Sequence, residues 1–139
     1  MSFHEDLNRG LQIEKLVLDI YRRDCPSATI VNAYKGYDIW LPEENYGIEV
    51  KYDPKSNETG NVVLEIEMNG KPSGLMTTTA KYWVFYDDEI FMQISTRNII
   101  KCIFLNKLVY TEFTGKGDKA PKKAFLIKKE ILYKYGEPI

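Results

Sequence analysis

The chain has few residues of several types, and each shortage narrows the class of protein to which it can belong. Only two cysteines, Cys25 and Cys102, occur in 139 residues, too few for a disulfide scaffold and too isolated for a zinc site. The sole histidine, His4, makes a histidine-based mechanism unexpected. No apolar run approaches the roughly 20 residues that span a bilayer, and the first residues lack the basic-then-apolar pattern of a secretory signal. We expect a reduced, cytoplasmic protein, in the host cytoplasm if it is viral.

Composition and charge predict one globular domain over residues 1–139. The chain is 44% hydrophobic and 28% charged, with a net charge of −1 that gives no global attraction for nucleic acid. Charge is uneven, however: the stretch Thr114–Tyr135 holds seven lysines against two carboxylates. This stretch is either a solvated loop or a phosphate-binding patch, and in the second case Lys116 and Lys119 are candidate nucleic-acid contacts.

Hydrophobic periodicity predicts a mixed order of elements. A helix is expected over Phe3–Arg23, and alternation predicts strands over Tyr37–Leu41, Tyr46–Tyr52 and Val62–Glu67. Later elements are expected in this order: a short helix around Met76–Ala80, strands at Tyr82–Tyr86 and Glu89–Ile94, a helix from Ser95 or Thr96 to about Asn106, strands at Leu108–Phe113 and Ala124–Ile127, and a helix over Lys128–Tyr135. A helix, a three-stranded meander and then mixed elements favour an α/β or α+β domain built on a mixed sheet.

The predicted hairpin carries the strongest chemical signal. If Pro42–Asn45 forms its loop, Asp38 lies across from Glu49 and Gly36 across from Lys51. One face then carries Gly36, Asp38, Trp40, Gly47, Glu49 and Lys51, and the core face carries Tyr37, Ile39, Leu41, Tyr46, Ile48, Val50 and Tyr52. Opposed carboxylates repel unless a cation lies between them, and Mg²⁺ prefers such oxygen ligands. An ordinary Glu–Lys salt bridge on a solvated face is the alternative.

The first helix adds a third carboxylate. Leu7, Leu11, Leu18 and Tyr21 form an apolar stripe that passes through Glu14, where an unpaired charge is costly. Gly10, one turn earlier, leaves room for a neighbour or a phosphate. Alternatively, Ile13, Leu16, Val17 and Ile20 form the buried face, and Glu14 lies at its edge.

Together, Gly10 and Glu14 on the first helix, then Asp38, then Glu49-Val50-Lys51, resemble the PD-(D/E)XK nuclease superfamily, nearest to its archaeal Holliday-junction-resolvase-like and phage nuclease branch. The resemblance covers roughly residues 7–67, and it departs from the pattern in having Tyr37, not proline, before Asp38. It implies a restriction-endonuclease-like αβββαβ core, with a central mixed sheet flanked by helices.

The resemblance also implies roles for these residues. Asp38, Glu49 and the backbone carbonyl of Val50 would hold Mg²⁺, for which Mn²⁺ would substitute. Lys51 would orient the attacking water and stabilise charge on the phosphate, and Glu14 would complete the site through a metal-bound water or a second ion.

Further candidates lie around this site. Glu65, on the third predicted strand, either flanks the metal or lies on a solvated face, as does Glu67. Ser73 and Lys81, in or near a turn with glycine and threonines, are candidate phosphate contacts or ordinary surface residues. Trp40 is a candidate for stacking on a base.

The expected function is therefore that of a Mg²⁺-dependent endonuclease acting on DNA, with RNA left open, that recognises DNA structure as junction resolvases do. A homodimer with paired sites is compatible with this function, and no membrane partner is expected. The alternatives are a non-catalytic nucleic-acid-binding or assembly protein on a nuclease-like fold, and a protein-interaction domain with an acidic face.

Overall fold

The computed structural model describes residues 3–114 and 120–139. The described α-helices are α1 (Phe3–Tyr21), α2 (Ser56–Thr59), α3 (Thr96–Leu105) and α4 (Lys129–Leu132), with 3₁₀ turns at Gly74–Met76 and Tyr133–Tyr135. The described strands are β1 (Thr29–Ile30), β2 (Ile39–Leu41), β3 (Tyr46–Tyr52), β4 (Asn61–Met68), β5 (Lys71–Pro72), β6 (Tyr82–Tyr86), β7 (Phe91–Ser95), β8 (Thr111–Phe113), β9 (Lys122–Lys128) and β10 (Glu137–Pro138). The fold is mixed α/β, as predicted.

These strands form two sheets. The first sheet has six strands in the order β1-β2-β3-β6-β7-β10; β3 and β6 are parallel and the other pairs antiparallel, so the predicted mixed sheet is confirmed. The second sheet has four antiparallel strands in the order β5-β4-β9-β8. A second sheet was not predicted.

The core lies on both faces of the first sheet. On one face α1 packs through Ile13, Val17 and Leu18 against buried residues that include Ile39, Ile48 and Val84. On the other face the second sheet and α3 cover a cluster that includes Val62, Leu64, Trp83, Phe85, Ile94, Ile99 and Ile127. Other elements cover both faces of the first sheet. A side chain at the end of one of its strands can therefore line a cavity and still be enclosed by the protein.

The predicted three-stranded meander is wrong. The third strand exists at Asn61–Met68 but pairs with β5 and β9, and β6 takes the place beside β3. The chain turns away after β3: the Asp53 amide bonds to the Tyr86 carbonyl at 2.8 Å, and α2 follows. Strand β4 then buries Val62 and Leu64 between the sheets instead of extending the hairpin.

The hairpin register is confirmed where the strands pair: Ile39 lies opposite Ile48, Trp40 opposite Gly47, and Leu41 opposite Tyr46. The ladder does not continue to Gly36, however. Strand β2 begins at Ile39, and the Gly36 carbonyl instead accepts the Thr79 amide at 2.9 Å.

Tyr37 is on the other face from the one predicted. Its ring lies over Gly47, where an added Cβ would approach ring atoms to 2.2 Å, and it packs against the cluster between the two sheets. The strict alternation assumed for residues 37–41 fails because the paired strand begins only at Ile39.

Other elements follow the prediction in part. Strands β3 and β6 have the predicted bounds, and α3 begins after Ser95, whose hydroxyl caps it by accepting the Asn98 amide at 3.0 Å. The short helix predicted around Met76–Ala80 is a 3₁₀ turn at Gly74–Met76. Among the described residues, no helix has both the length and the apolar character needed to cross a membrane.

Candidate metal centre

A cavity of about 340 Å³ lies between α1 and the first sheet, beside the start of β2. Its walls include Glu14, Asp38, Glu49, Val50 and Lys51. Thus the structure brings together the four side chains and the backbone unit that the sequence singled out. Throughout, this space is called the first cavity.

Asp38, the residue before β2, is held against strand β3. Its amide donates to the Ile48 carbonyl at 2.9 Å, and its Oδ2 accepts the Val50 amide at 2.7 Å. The carboxylate thus takes the place of a partner strand for the Val50 amide, which lies beyond the last residue pair of β2 and β3. In a strand the N–H and C=O of one residue point to the same side. The Val50 carbonyl therefore points to the side of β3 on which Asp38 lies.

Glu14 enters the first cavity from α1. The buried face of this helix is Ile13, Val17 and Leu18, whereas Leu11 is 40% exposed, so the predicted stripe is only partly correct and Glu14 lies at the edge of the buried face. Burial, the charge of Asp38 and a hydrogen bond to Asp38 raise the pKa of Glu14 to about 7. Gly10, one turn away, lines the same cavity, and a Cβ there would meet no atom within 4 Å.

Glu49 and Asp38 are also destabilised as anions. Burial and the charge of Asp38 raise the pKa of Glu49 to about 8, while Lys51 acts in the opposite direction. Burial raises the pKa of Asp38 as well, against the lowering effects of the Val50 amide, Lys51 and Glu14. The predicted alternative, a Glu49–Lys51 salt bridge, is not among the ion pairs of the described residues; the Lys51 ammonium instead lies 5.9 Å from the centroid of the Trp83 ring.

This donor set fits a hard divalent cation in an open site. Within residues 3–114 and 120–139, no group of three or more His, Cys, Asp or Glu side chains could hold a metal ion by itself. The first cavity instead offers the Asp38 and Glu49 carboxylates and the Val50 carbonyl, with Glu14 hydrogen-bonded behind Asp38. Mg²⁺ commonly binds through one or two carboxylates and retains waters. A cation there would replace the protons that otherwise neutralise these carboxyls.

A second cavity of about 500 Å³ adjoins the first, and Glu49 and Lys51 line both. Glu65 and Ser73, two of the peripheral candidates, line the second cavity. The Glu65 Oε1 and Ser73 Oγ atoms are buried and have no hydrogen-bond partner among the described residues, although the Lys122 ammonium lies 4.0 Å from Glu65 Oε1.

Of the remaining candidates, those that the structure describes line neither cavity. Lys81 places its ammonium 4.8 Å from the centroid of the Tyr46 ring, on the α1 face of the first sheet. Glu67 pairs with Lys123 at 3.1 Å. Trp40 packs against Tyr37, with ring centroids 5.3 Å apart. Lys116 and Lys119 lie outside the described residues.

Sequence reasoning missed Tyr34 and Lys35, which line the second cavity. They precede the predicted hairpin in a stretch with no periodicity, so no pattern assigned them to a face. The available signal was Gly36: an added Cβ there would lie 2.5 Å from both the Tyr34 ring and the Thr79 hydroxyl. A glycine that two side chains approach so closely indicates a tightly packed loop. Only the fold shows which side chains these are.

No protein-family model, no curated protein and no solved structure matches this chain.

Proposed function

We propose that the protein is a metal-dependent nuclease that hydrolyses phosphodiester bonds in DNA. The observation that supports this proposal is the convergence of Glu14, Asp38, Glu49 and Lys51, from a helix, a loop and a strand, on one cavity. Three carboxylates beside one lysine suit a reaction that needs a cation, a water nucleophile and a countercharge for the phosphate.

In this proposal Asp38, Glu49 and the Val50 carbonyl would hold Mg²⁺, for which Mn²⁺ would substitute. When bound, the ion would supply the Lewis acidity that activates water as a nucleophile. Lys51 faces the same cavity and offers its ammonium to the charge that develops on the phosphate. Glu14 is hydrogen-bonded to Asp38, which it holds in place, and it would complete the site through a metal-bound water or a second ion.

The arrangement of elements is compatible with a restriction-endonuclease-like core, which we include in the proposal. The elements that support this part of the proposal are helix α1, the β2–β3 hairpin, strand β6 parallel to β3, and α3 after β7. The departure from that core is β4, which belongs to the second sheet. A homodimer with paired sites stays a prediction.

The test is cleavage of a labelled panel containing a junction, a flap, a duplex, a single strand and RNA, in Mg²⁺ or Mn²⁺ and in EDTA. Lys51→Ala is the informative variant, and Lys81→Ala is its matched control because Lys81 lines neither cavity and its ammonium lies against the Tyr46 ring. We expect Lys51→Ala to slow cleavage by about 100-fold or more, with its thermal unfolding unchanged, and Lys81→Ala to cleave at the wild-type rate.

Metal-dependent cutting that Lys51→Ala abolishes would support the proposal. Salt-sensitive DNA binding without cutting of any substrate would instead favour the alternative, a non-catalytic nucleic-acid-binding protein on this scaffold. Cutting that survives both Lys51→Ala and Asp38→Asn would exclude the first cavity as its source.

A further inference from the structure

The second cavity is positioned to hold part of a ligand whose reacting group lies in the first. Its volume of about 500 Å³ falls within the range of about 300–1,000 Å³ that is usual for small-molecule sites. Glu49 and Lys51 form the wall common to both cavities. A group bound in the second cavity would therefore be a close neighbour of the phosphate proposed to react in the first.

The wall opposite Glu49 has a fixed shape. Strand β4 has a register irregularity between Glu65 and Glu67, next to the Glu65 side chain. Gly74, with φ of +52°, brings the following 3₁₀ turn so close that an added Cβ would lie 2.2 Å from the Glu65 carbonyl oxygen. The Ser73 amide donates to the Ile66 carbonyl at 3.0 Å. These contacts tie the turn to strand β4, and both Glu65 and Ser73 line the cavity.

This wall holds two buried polar atoms that the protein leaves without hydrogen-bond partners in its described parts, Glu65 Oε1 and Ser73 Oγ. Buried polar atoms usually have hydrogen-bond partners, so these two exceptions call for an explanation. A carboxylate can only accept hydrogen bonds, whereas a hydroxyl both donates and accepts. A small shift of either side chain towards the cavity would suit a ligand that presents N–H donors beside an acceptor.

The charge distribution separates the interior of the second cavity from its surroundings. Glu49 and Glu65 face the space from the two sheets and are balanced by Lys51, which lines the same cavity, and by Lys122, 4.0 Å from Glu65 Oε1, so these four residues leave no excess positive charge that would favour a phosphate inside. Lys35 and Lys71, both exposed, belong to the same lining and suit phosphates at the rim. Tyr34 is 50% exposed and meets Tyr37 edge-on with centroids 4.8 Å apart, so a ring surface is available for stacking.

We propose that the second cavity binds an unpaired nucleobase next to the phosphate that is cut, with Tyr34 as the stacking surface and Glu65 and Ser73 reading its hydrogen-bonding edge. This inference rests on the proposed function. Base amino groups donate to carboxylates in this way. In a continuous duplex the same edge is paired and both faces are stacked, so the base must first be extruded. The substrate class is then DNA with an unpaired nucleotide at the cut.

The test measures binding in EDTA, so that it does not depend on hydrolysis. Three labelled duplexes differ only at one central position: fully paired, with one extra unpaired cytosine, or with one extra abasic nucleotide. We expect wild-type protein to bind the unpaired cytosine about 10-fold more tightly than the paired duplex, and the abasic nucleotide to lose this preference. Glu65→Gln should reduce the preference several-fold without changing affinity for the paired duplex.

Glu67→Gln is the matched control, since Glu67 lies on the same strand but pairs with Lys123; it should keep the preference. Ser73→Ala and Tyr34→Ala supply independent variants if Glu65→Gln does not fold. Equal affinities for the three duplexes would overturn the inference, as would a preference that neither Glu65→Gln nor Tyr34→Ala lowers. Metal-dependent cleavage without the preference rejects this inference alone, whereas the preference without cleavage supports it and rejects the nuclease.

Discussion

The carboxylate of Asp38 accepts the backbone N–H of Val50 at 2.7 Å, at the point where the hairpin ladder ends. This contact fixes a charged oxygen beside the strand that carries Glu49 and Lys51. Asp38 can therefore act in two separable ways, as a hydrogen-bond acceptor for the Val50 amide and as an anion.

Asp38→Asn and Asp38→Ala should separate those contributions. Asparagine keeps an oxygen for the Val50 amide but loses the charge, so its free energy of unfolding should stay near wild type while Mn²⁺ binding is lost. Alanine leaves the partly buried amide unpaired and should cost about 1–3 kcal/mol in addition. Calorimetric Mn²⁺ titration and urea unfolding measure the two effects. Wild-type Mn²⁺ affinity in Asp38→Asn would show that this carboxylate is not a ligand.

The pH dependence of stability should reveal the raised carboxyl pKa values. An unfolded glutamate titrates near 4.5, whereas folded Glu14 and Glu49 keep their protons to about 7 and about 8. Between these values the folded state binds more protons than the unfolded state, so stability must fall as pH rises. The melting temperature of metal-free protein should therefore decrease from about pH 5 to about pH 9.

Two comparisons check the source of that decrease. Glu49→Gln should flatten the upper part of the curve, and saturating Mg²⁺ should raise the melting temperature most at high pH, where the carboxylates are ionised. Glu58→Gln, on the exposed helix α2, should leave the curve unchanged. A metal-free melting temperature that does not depend on pH over this range would contradict the prediction.

Gly47→Ala should disturb the first cavity from outside it. An added Cβ would lie 2.2 Å from atoms of the Tyr37 ring, so the ring must move, and Tyr37 immediately precedes Asp38. We expect a loss of about 1–3 kcal/mol in the free energy of unfolding together with weaker Mn²⁺ binding. Gly10→Ala, which adds a Cβ to open space, is the control with no predicted clash. Full Mn²⁺ affinity in Gly47→Ala would mean that Asp38 does not depend on the position of Tyr37.

Asp87 should matter for stability and not for DNA. It is 1% exposed, pairs with Lys129, and accepts the Glu89 and Ile90 amides at 2.9 Å each. Burial alone would raise its pKa, but these partners together lower it, so its contribution is present at neutral pH and lost on acidification through the lowered value. Asp87→Asn should cost about 1–3 kcal/mol. Denaturant unfolding and DNA binding, measured in parallel, check both halves of the prediction.

Local patterns were sufficient for the paired part of the hairpin, Ile39–Leu41 with Tyr46–Ile48. The alternation of Ile39, Leu41 and Ile48, with a polar four-residue loop between the strands, leaves one register that buries all three. The same register brought Asp38 near Glu49 and Lys51, so these three residues of the first cavity could be selected before the fold was known. Spacing alone left two faces open for α1, and packing on Ile39 and Ile48 decided between them.

The division into two sheets could not be predicted in this way. Strand β4 reads as a half-buried strand whichever sheet it joins, and its main partner β9 lies far along the chain. Pairing between such distant segments is decided by the packing of both, not by the pattern of either. The second cavity, which needs both sheets, was therefore beyond the reach of the sequence, although Glu65 and Ser73 were noted singly.

The two cavities draw on different parts of the chain except at their common wall of Glu49 and Lys51. The first uses residues of α1, the β2 edge and β3, while the far wall of the second comes from β4 and the turns that follow it. Insertions or substitutions in the stretch from Met68 to Thr77 can thus remodel one cavity while the other keeps its carboxylates in place. Variation in that stretch gives the protein a route to new ligands that leaves the residues of the first cavity unchanged.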